Sequence, residues 1–96
     1  MVTVITKFIG KNTAASKALE SIFQKLLLDT QTEHGFVSYE ILQDSTNDNT
    51  YYIIEKWQTE IDVHNHASAV EKKGYVAQAV GLISNEIKNS ILINLK

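Results

Sequence analysis

Both faces of the strands legible in this chain are apolar, and that restricts its architecture more than any other feature. Three runs read as strands from β-branched and aromatic content: VTVITKFI at 2–9, FVSYEILQD at 36–44 and TYYIIEKW at 50–57, with SILINL at 90–95 as a last one. By the two-residue period of a strand, one face carries Val2, Val4, Phe8, Phe36, Ile53 and Trp57. The other carries Ile5, Ile9, Val37, Tyr39, Ile41, Tyr52 and Ile54. A single layer of helices covers only one of these faces. Leaving seven large groups in water would forfeit roughly 1.5–3 kcal/mol each. A second copy of the chain, sheet against sheet about a two-fold axis, is the simplest cover.

Between the strands the period changes to that of helices. From a capping Asn12 or Thr13, apolar residues recur at Ala14, Ala15, Ala18, Leu19, Ile22, Phe23, Leu26 and Leu27, one buried stripe, and His34-Gly35 closes the segment. The turn-rich STNDN at 45–49 predicts a hairpin loop of about five residues. Thr59-Glu60-Ile61-Asp62 opens a second helix with a capping hydroxyl and early carboxylates, and Ser68-Ala69-Val70-Glu71 repeats that signature, predicting a break and restart there. Gly74 weakens the third helix and Gly81 ends it. The order β-α-β-β-α-α-β describes one α+β domain over 1–96, a ferredoxin-like variant in which four antiparallel strands carry helices on one face. With a second copy it becomes a dimeric α+β barrel.

Composition excludes several functions. The nine cations are all lysine, scattered through a chain of net charge −2, so the basic surface that nucleic acid requires is missing. Cysteine is absent and the only methionine is the first residue, which removes disulfides, thiolate metal sites and thiol nucleophiles and fits a cytoplasmic protein. MVTVITKFIG does not read as an export signal, and no apolar run is long enough to span a membrane.

Chemistry concentrates in EKWQTEIDVHNH, residues 55–66. Glu55 and Trp57, two apart on a strand, share the face assigned to the helices. His66 lies on the helical segment that folds back over that strand. A cleft walled by Phe8, Phe23, Trp57 and Tyr75 has the make-up of a small-molecule pocket. His64 and His66 diverge by about 200° on a helix and cannot chelate one metal, so His64 reads as a solvated residue and no metal site is assigned. His66 reads equally well as a packed imidazole, bonded to Glu55 or a backbone carbonyl, or as a functional group. An inward carboxylate needs a partner, and His66, Lys7 or Lys56 are the candidates for Glu55. Glu40, nearly opposite in the hairpin, would raise the titration of one of the pair if the register made them neighbours.

Phe36, Tyr39 and Glu40 in F-x-x-Y-E, Ile53, Glu55 and Trp57 in I-x-E-x-W, His66 nine residues after the tryptophan and Tyr75 nine further on together resemble the antibiotic biosynthesis monooxygenase domain. The resemblance spans nearly the whole chain. It implies a dimeric ferredoxin-like barrel that oxygenates small electron-rich aromatics, quinol- or anthrone-like, with dioxygen and no flavin, haem or metal. It also implies His66 as the base, Glu55 as the group that orients or tunes it, and Trp57 and Tyr75 as walls for a flat substrate.

Departures qualify what is carried over. A second histidine common in the family falls at Glu71 here. The asparagine and tyrosine of anthrone oxygenases fall at Ile53 and Val63, and no arginine exists. The haem-degrading branch has a tryptophan where this chain has His66 and its iron-ligating histidine where this chain has Val76, which disfavours haem degradation. Two other functions use the same pocket: an isomerase in which His66 moves a proton without consuming oxygen, and a non-catalytic dimer that binds a small aromatic.

Overall fold

The computed structural model describes residues 1–96. Its elements are β1 (Val2–Ile9), α1 (Thr13–Thr30), β2 (Phe36–Asp44), β3 (Asn47–Trp57), α2 (Glu60–Lys72), α3 (Tyr75–Val80) and β4 (Asn89–Leu92). The four strands form one antiparallel sheet in the order β2-β3-β1-β4, the β-α-β-β-α-α-β arrangement expected from the sequence. No helix is long and apolar enough to cross a membrane.

The central strands set the inner face. In register, Val2 opposes Trp57, Val4 opposes Glu55, Thr6 opposes Ile53 and Phe8 opposes Tyr51, and all eight are buried under the helices. α1 lays Leu19, Ile22, Phe23 and Leu26 on this face. Phe23 packs between Phe8 at 5.0 Å and Tyr51 at 5.5 Å, ring centre to ring centre, in tilted and edge-on contacts of the kind aromatic quadrupoles favour. Asn12 caps α1 by accepting the Ala15 N–H at 2.8 Å.

Four expectations need correction. The second helix does not break at Ser68: α2 runs unbroken to Lys72, because an exposed serine need not interrupt a helix whose inner face keeps packing. The break comes at Gly74, whose φ of +83° no longer propagates a helix, and α3 restarts at Tyr75. The hairpin loop is two residues, Ser45 and Thr46, since β3 begins at Asn47, and an irregularity in register after Gln43 absorbs the extra residues.

The last correction concerns the site. Phe36 pairs with Trp57 but Ser38 pairs with Lys56, so β2 holds a bulge at Val37. One extra residue reverses every side chain beyond it. Tyr39 and Ile41 therefore sit on the helix face, opposite Glu55 and Ile53, and not on the outer face. Glu40 opposes Ile54 and not Glu55.

The outer face stays open in the lone chain. Ile5, Ile9, Tyr52 and Ile54 are only half-buried there, with Val37, Leu42 and Leu92 exposed beside them. Ile93 and Leu95 beyond β4 are 75% and 96% exposed.

Candidate active site

The start of α2 fixes where the imidazole points. Thr59 accepts the Asp62 N–H while the Asp62 carboxylate takes the Thr59 N–H, a reciprocal cap. Gly35, at φ +82°, passes so close to this cap that a Cβ there would overlap the Asp62 carboxylate. The Gly35 carbonyl also accepts the Gln58 N–H at 2.8 Å, tying the loop before β2 to the exit of β3. With α2 so anchored, Val63 and His66, three apart on one helical face, turn toward the sheet.

Between α2 and the sheet lies a cavity of about 330 Å³, a size suited to a small ligand. Its walls are mainly apolar: Val4, Phe8 and Ile53 from the sheet, Leu26 from α1, Val63 and Val70 from α2. Its polar groups are Tyr39, Glu55 and His66 at one end and Thr6 with Asn89 at the other, where the Thr6 hydroxyl donates to Asn89 Oδ1 at 2.6 Å. His64, exposed on α2, stands at the lining too.

His66 is held on every side. Trp57 lies against it with ring centres 4.7 Å apart and planes 34° from parallel, and Tyr39 meets it edge-on at 6.2 Å. Its Nε2 is 3.6 Å from Glu55 Oε1, and that oxygen accepts the Trp57 indole N–H at 2.9 Å. Its Nδ1 faces the two carboxylate oxygens of Glu33 at 3.0 and 3.1 Å. Of the partners proposed for Glu55, His66 is thus the neighbour; Lys7 instead reaches over the ring of Tyr52, 5.8 Å from its centre.

Burial pushes the Glu55 carboxyl above its ordinary 4.5, with Glu33 adding to the rise while His66 and the indole N–H oppose it. Burial likewise raises the Tyr39 phenol, and the charges of Glu55 and Glu33 raise it further, so it remains a hydrogen-bond donor. The Glu55 shift has a consequence for stability. Below about pH 4.5 folded and unfolded chains both hold the proton; above it the unfolded chain releases the proton first, and stability falls as pH rises through the raised native value. Glu55→Gln, which keeps an acceptor for Trp57, is expected to melt higher than the parent near pH 7.5 and to lose that advantage near pH 4, as thermal scans at the two pH values would reveal.

The residues singled out from sequence scatter about this cavity. His66, Glu55 and Phe8 line it. Trp57 does not: it is wholly buried behind His66 and supports the imidazole from beneath. Phe23 lies within the core between Phe8 and Tyr51. Tyr75 faces α1, its hydroxyl donating to Asp29 at 2.7 Å, and pins α3 to that helix. Three of the four proposed walls are therefore structural in the free chain, because the cavity sits nearer β1, β4 and α2 than strand parity alone could tell. Tyr39, Glu33 and Asn89 were not foreseen. Tyr39 was hidden by the bulge, Glu33 by its place in a loop, and Asn89 by its position one residue outside the expected strand.

The fold is shared with solved structures. The Mycobacterium tuberculosis protein Rv0793 aligns over 99% of this chain and 95% of its own with a TM-score of 0.88 at 22% identity. SnoaB, a cofactor-independent oxygenase from Streptomyces nogalater, aligns over 99% of this chain and 93% of its own with a TM-score of 0.82 at 18% identity. In sequence, the Bacillus subtilis protein YcnE, named as a candidate monooxygenase, is 28% identical over 61 residues, which is 64% of this chain and 64% of that relative, less than two thirds of each. Residues 1–78 match the family model of the antibiotic biosynthesis monooxygenases, and with the sheet order and the helix-covered cavity described above the chain belongs to that family.

Proposed function

We propose that this chain is a cofactor-independent monooxygenase for small electron-rich aromatic substrates, quinol- or anthrone-like, and that it works as a homodimer. The observation that carries the reading is that His66 and Glu55, with Nε2 and Oε1 3.6 Å apart, both line an apolar cavity of ligand size. Triplet dioxygen reacts slowly with closed-shell molecules, so the substrate must first become a good electron donor. Removing a phenolic proton and holding the resulting anion out of water achieves this. His66 takes the proton at Nε2, Glu55 tunes it from the same side, and the Tyr39 hydroxyl donates to the anion. Trp57 acts through the ring it supports. The description of SnoaB as a cofactor-independent oxygenase accords with this chemistry.

An oxygen electrode tests the activity directly. Saturable, protein-dependent oxygen uptake with 1,4-naphthohydroquinone or anthrone is expected. Substrate turnover without oxygen uptake would favour an isomerase, and binding that leaves the rate of autoxidation unchanged would favour a non-catalytic binder.

The dimer is proposed from the outer sheet face. Ile5, Tyr52, Ile54, Leu42 and Leu92 together form an apolar surface that an identical surface on a second copy would cover. Sedimentation at micromolar concentration is expected to give twice the mass of 10.8 kDa, and Ile54→Lys to shift it toward the single chain. A parent protein that sediments as one chain would overturn this.

A further inference from the structure

We propose that Glu33 is the positioning residue of the site: it takes the Nδ1–H of His66 and leaves Nε2 bare toward Glu55 and the cavity. The inference rests on the reading of His66 as the base and assigns the orienting role, expected at Glu55, to a different carboxylate.

Geometry carries the argument. Both Glu33 oxygens lie within 3.0–3.1 Å of one nitrogen of a buried ring. An ionised carboxylate only accepts, so the nitrogen within hydrogen-bonding distance of Glu33 bears the proton, whereas Glu55 Oε1 is 3.6 Å from the other nitrogen, beyond a hydrogen bond, and already takes the Trp57 N–H. In a neutral imidazole the other nitrogen then carries the free lone pair, and here that nitrogen is the one 3.6 Å from Glu55 Oε1. The ring cannot readily turn to exchange the two, since Trp57 lies against its face and Tyr39 against its edge.

Glu33 itself is well held. It sits in the connection between α1 and β2, its N–H donating to the Thr30 carbonyl at 3.1 Å and its carbonyl accepting the Phe36 N–H at 3.3 Å. Its side chain is 22% exposed, so the carboxylate keeps contact with water while the ring is buried. When Nε2 accepts a proton from substrate, the imidazolium forms between Glu33 and Glu55, the charged groups that face it, with the neutral Tyr39 phenol alongside. One oxygen atom of O2 stays in the quinone product and the other, reduced by the substrate's own electrons, takes the proton back from Nε2 and leaves as water, while Glu33 keeps the Nδ1–H throughout. Glu33 is not among the cavity's lining residues, so it acts through His66 and not on substrate.

The test needs no substrate. Ring-nitrogen NMR of ¹⁵N-labelled protein, recorded where the imidazole is neutral, should place the His66 proton on Nδ1. Glu33→Ala should move the ratio of the two tautomers toward Nε2–H by about tenfold, the effect of losing a hydrogen bond to a charged group. Glu33→Gln, whose amide oxygen still accepts, should retain most of the Nδ1–H form. A wild-type ring protonated on Nε2, or a tautomer ratio unmoved in Glu33→Ala, overturns the assignment. In oxygen uptake with 1,4-naphthohydroquinone, Glu33→Ala should lower kcat about tenfold and leave KM unchanged; a rise in KM alone would mark Glu33 as a binding residue and overturn it too. Absence of uptake by the wild type would instead overturn the oxygenase reading, and the tautomer measurement would still decide the role of Glu33.

Discussion

Replacing His66 with alanine is expected to lower turnover in the oxygen-uptake assay by about 10²-fold or more, the usual loss when a general base is removed. The imidazole is the one group that touches the cavity, Glu55, Glu33 and Trp57 at once, so its removal strips the base and leaves two carboxylates facing an empty space. Binding should suffer less than turnover, because most of the wall is aliphatic and remains in place. The informative comparison is kcat against KM, with sedimentation and circular dichroism confirming that the variant keeps its shape. Wild-type turnover in His66→Ala would remove the imidazole from the mechanism.

The largest effect on stability is expected at Trp57. The indole is wholly buried, packs edge-on against Phe36 at 6.0 Å and at a tilt against His66 at 4.7 Å, and donates its N–H to Glu55. Trp57→Ala removes that volume and the indole N–H that hydrogen-bonds Glu55 from the strand side, and is expected to cost roughly 3–5 kcal/mol of folding free energy. Because Trp57 is the only tryptophan, urea denaturation of the variant must be followed by circular dichroism instead of indole fluorescence. A variant as stable as the parent, with binding lost, would mean that the ring is a ligand platform instead of the support beneath His66.

These two residues mark how far the sequence could be read. Glu55 and Trp57 share a face because they are two apart on a strand, and Val63 and His66 share one because they are three apart on a helix. Both relations are local, fixed by the backbone period before any tertiary contact forms. The caps at Asn12 and Thr59 were legible for the same reason: each is a side chain bonding to backbone three residues on. The meeting of Glu55 with His66 was also within reach, since only one reversal of the chain separates them.

Elsewhere local signals gave the wrong answer or none. Ser68 looked like a helix start, but capping is a preference that continued packing overrides, and α2 runs past it. The walls proposed at Phe23 and Tyr75 followed from their being aromatic, whereas the structure packs Phe23 between Phe8 and Tyr51 and ties Tyr75 to Asp29 of α1.

What the sequence determined by itself is the order of elements, the inward pairing of Glu55 with Trp57 and the apolar character of both sheet faces, all consequences of periods of two and about three and a half residues. Only the tertiary structure decided that Tyr39 faces the cavity and that Glu33 holds His66. The first depends on one unpaired residue at Val37 that shifts the register of β2 against β3. The second joins two groups 33 positions apart through the path of a connection, and neither a register shift nor a loop path leaves a periodic trace in the chain.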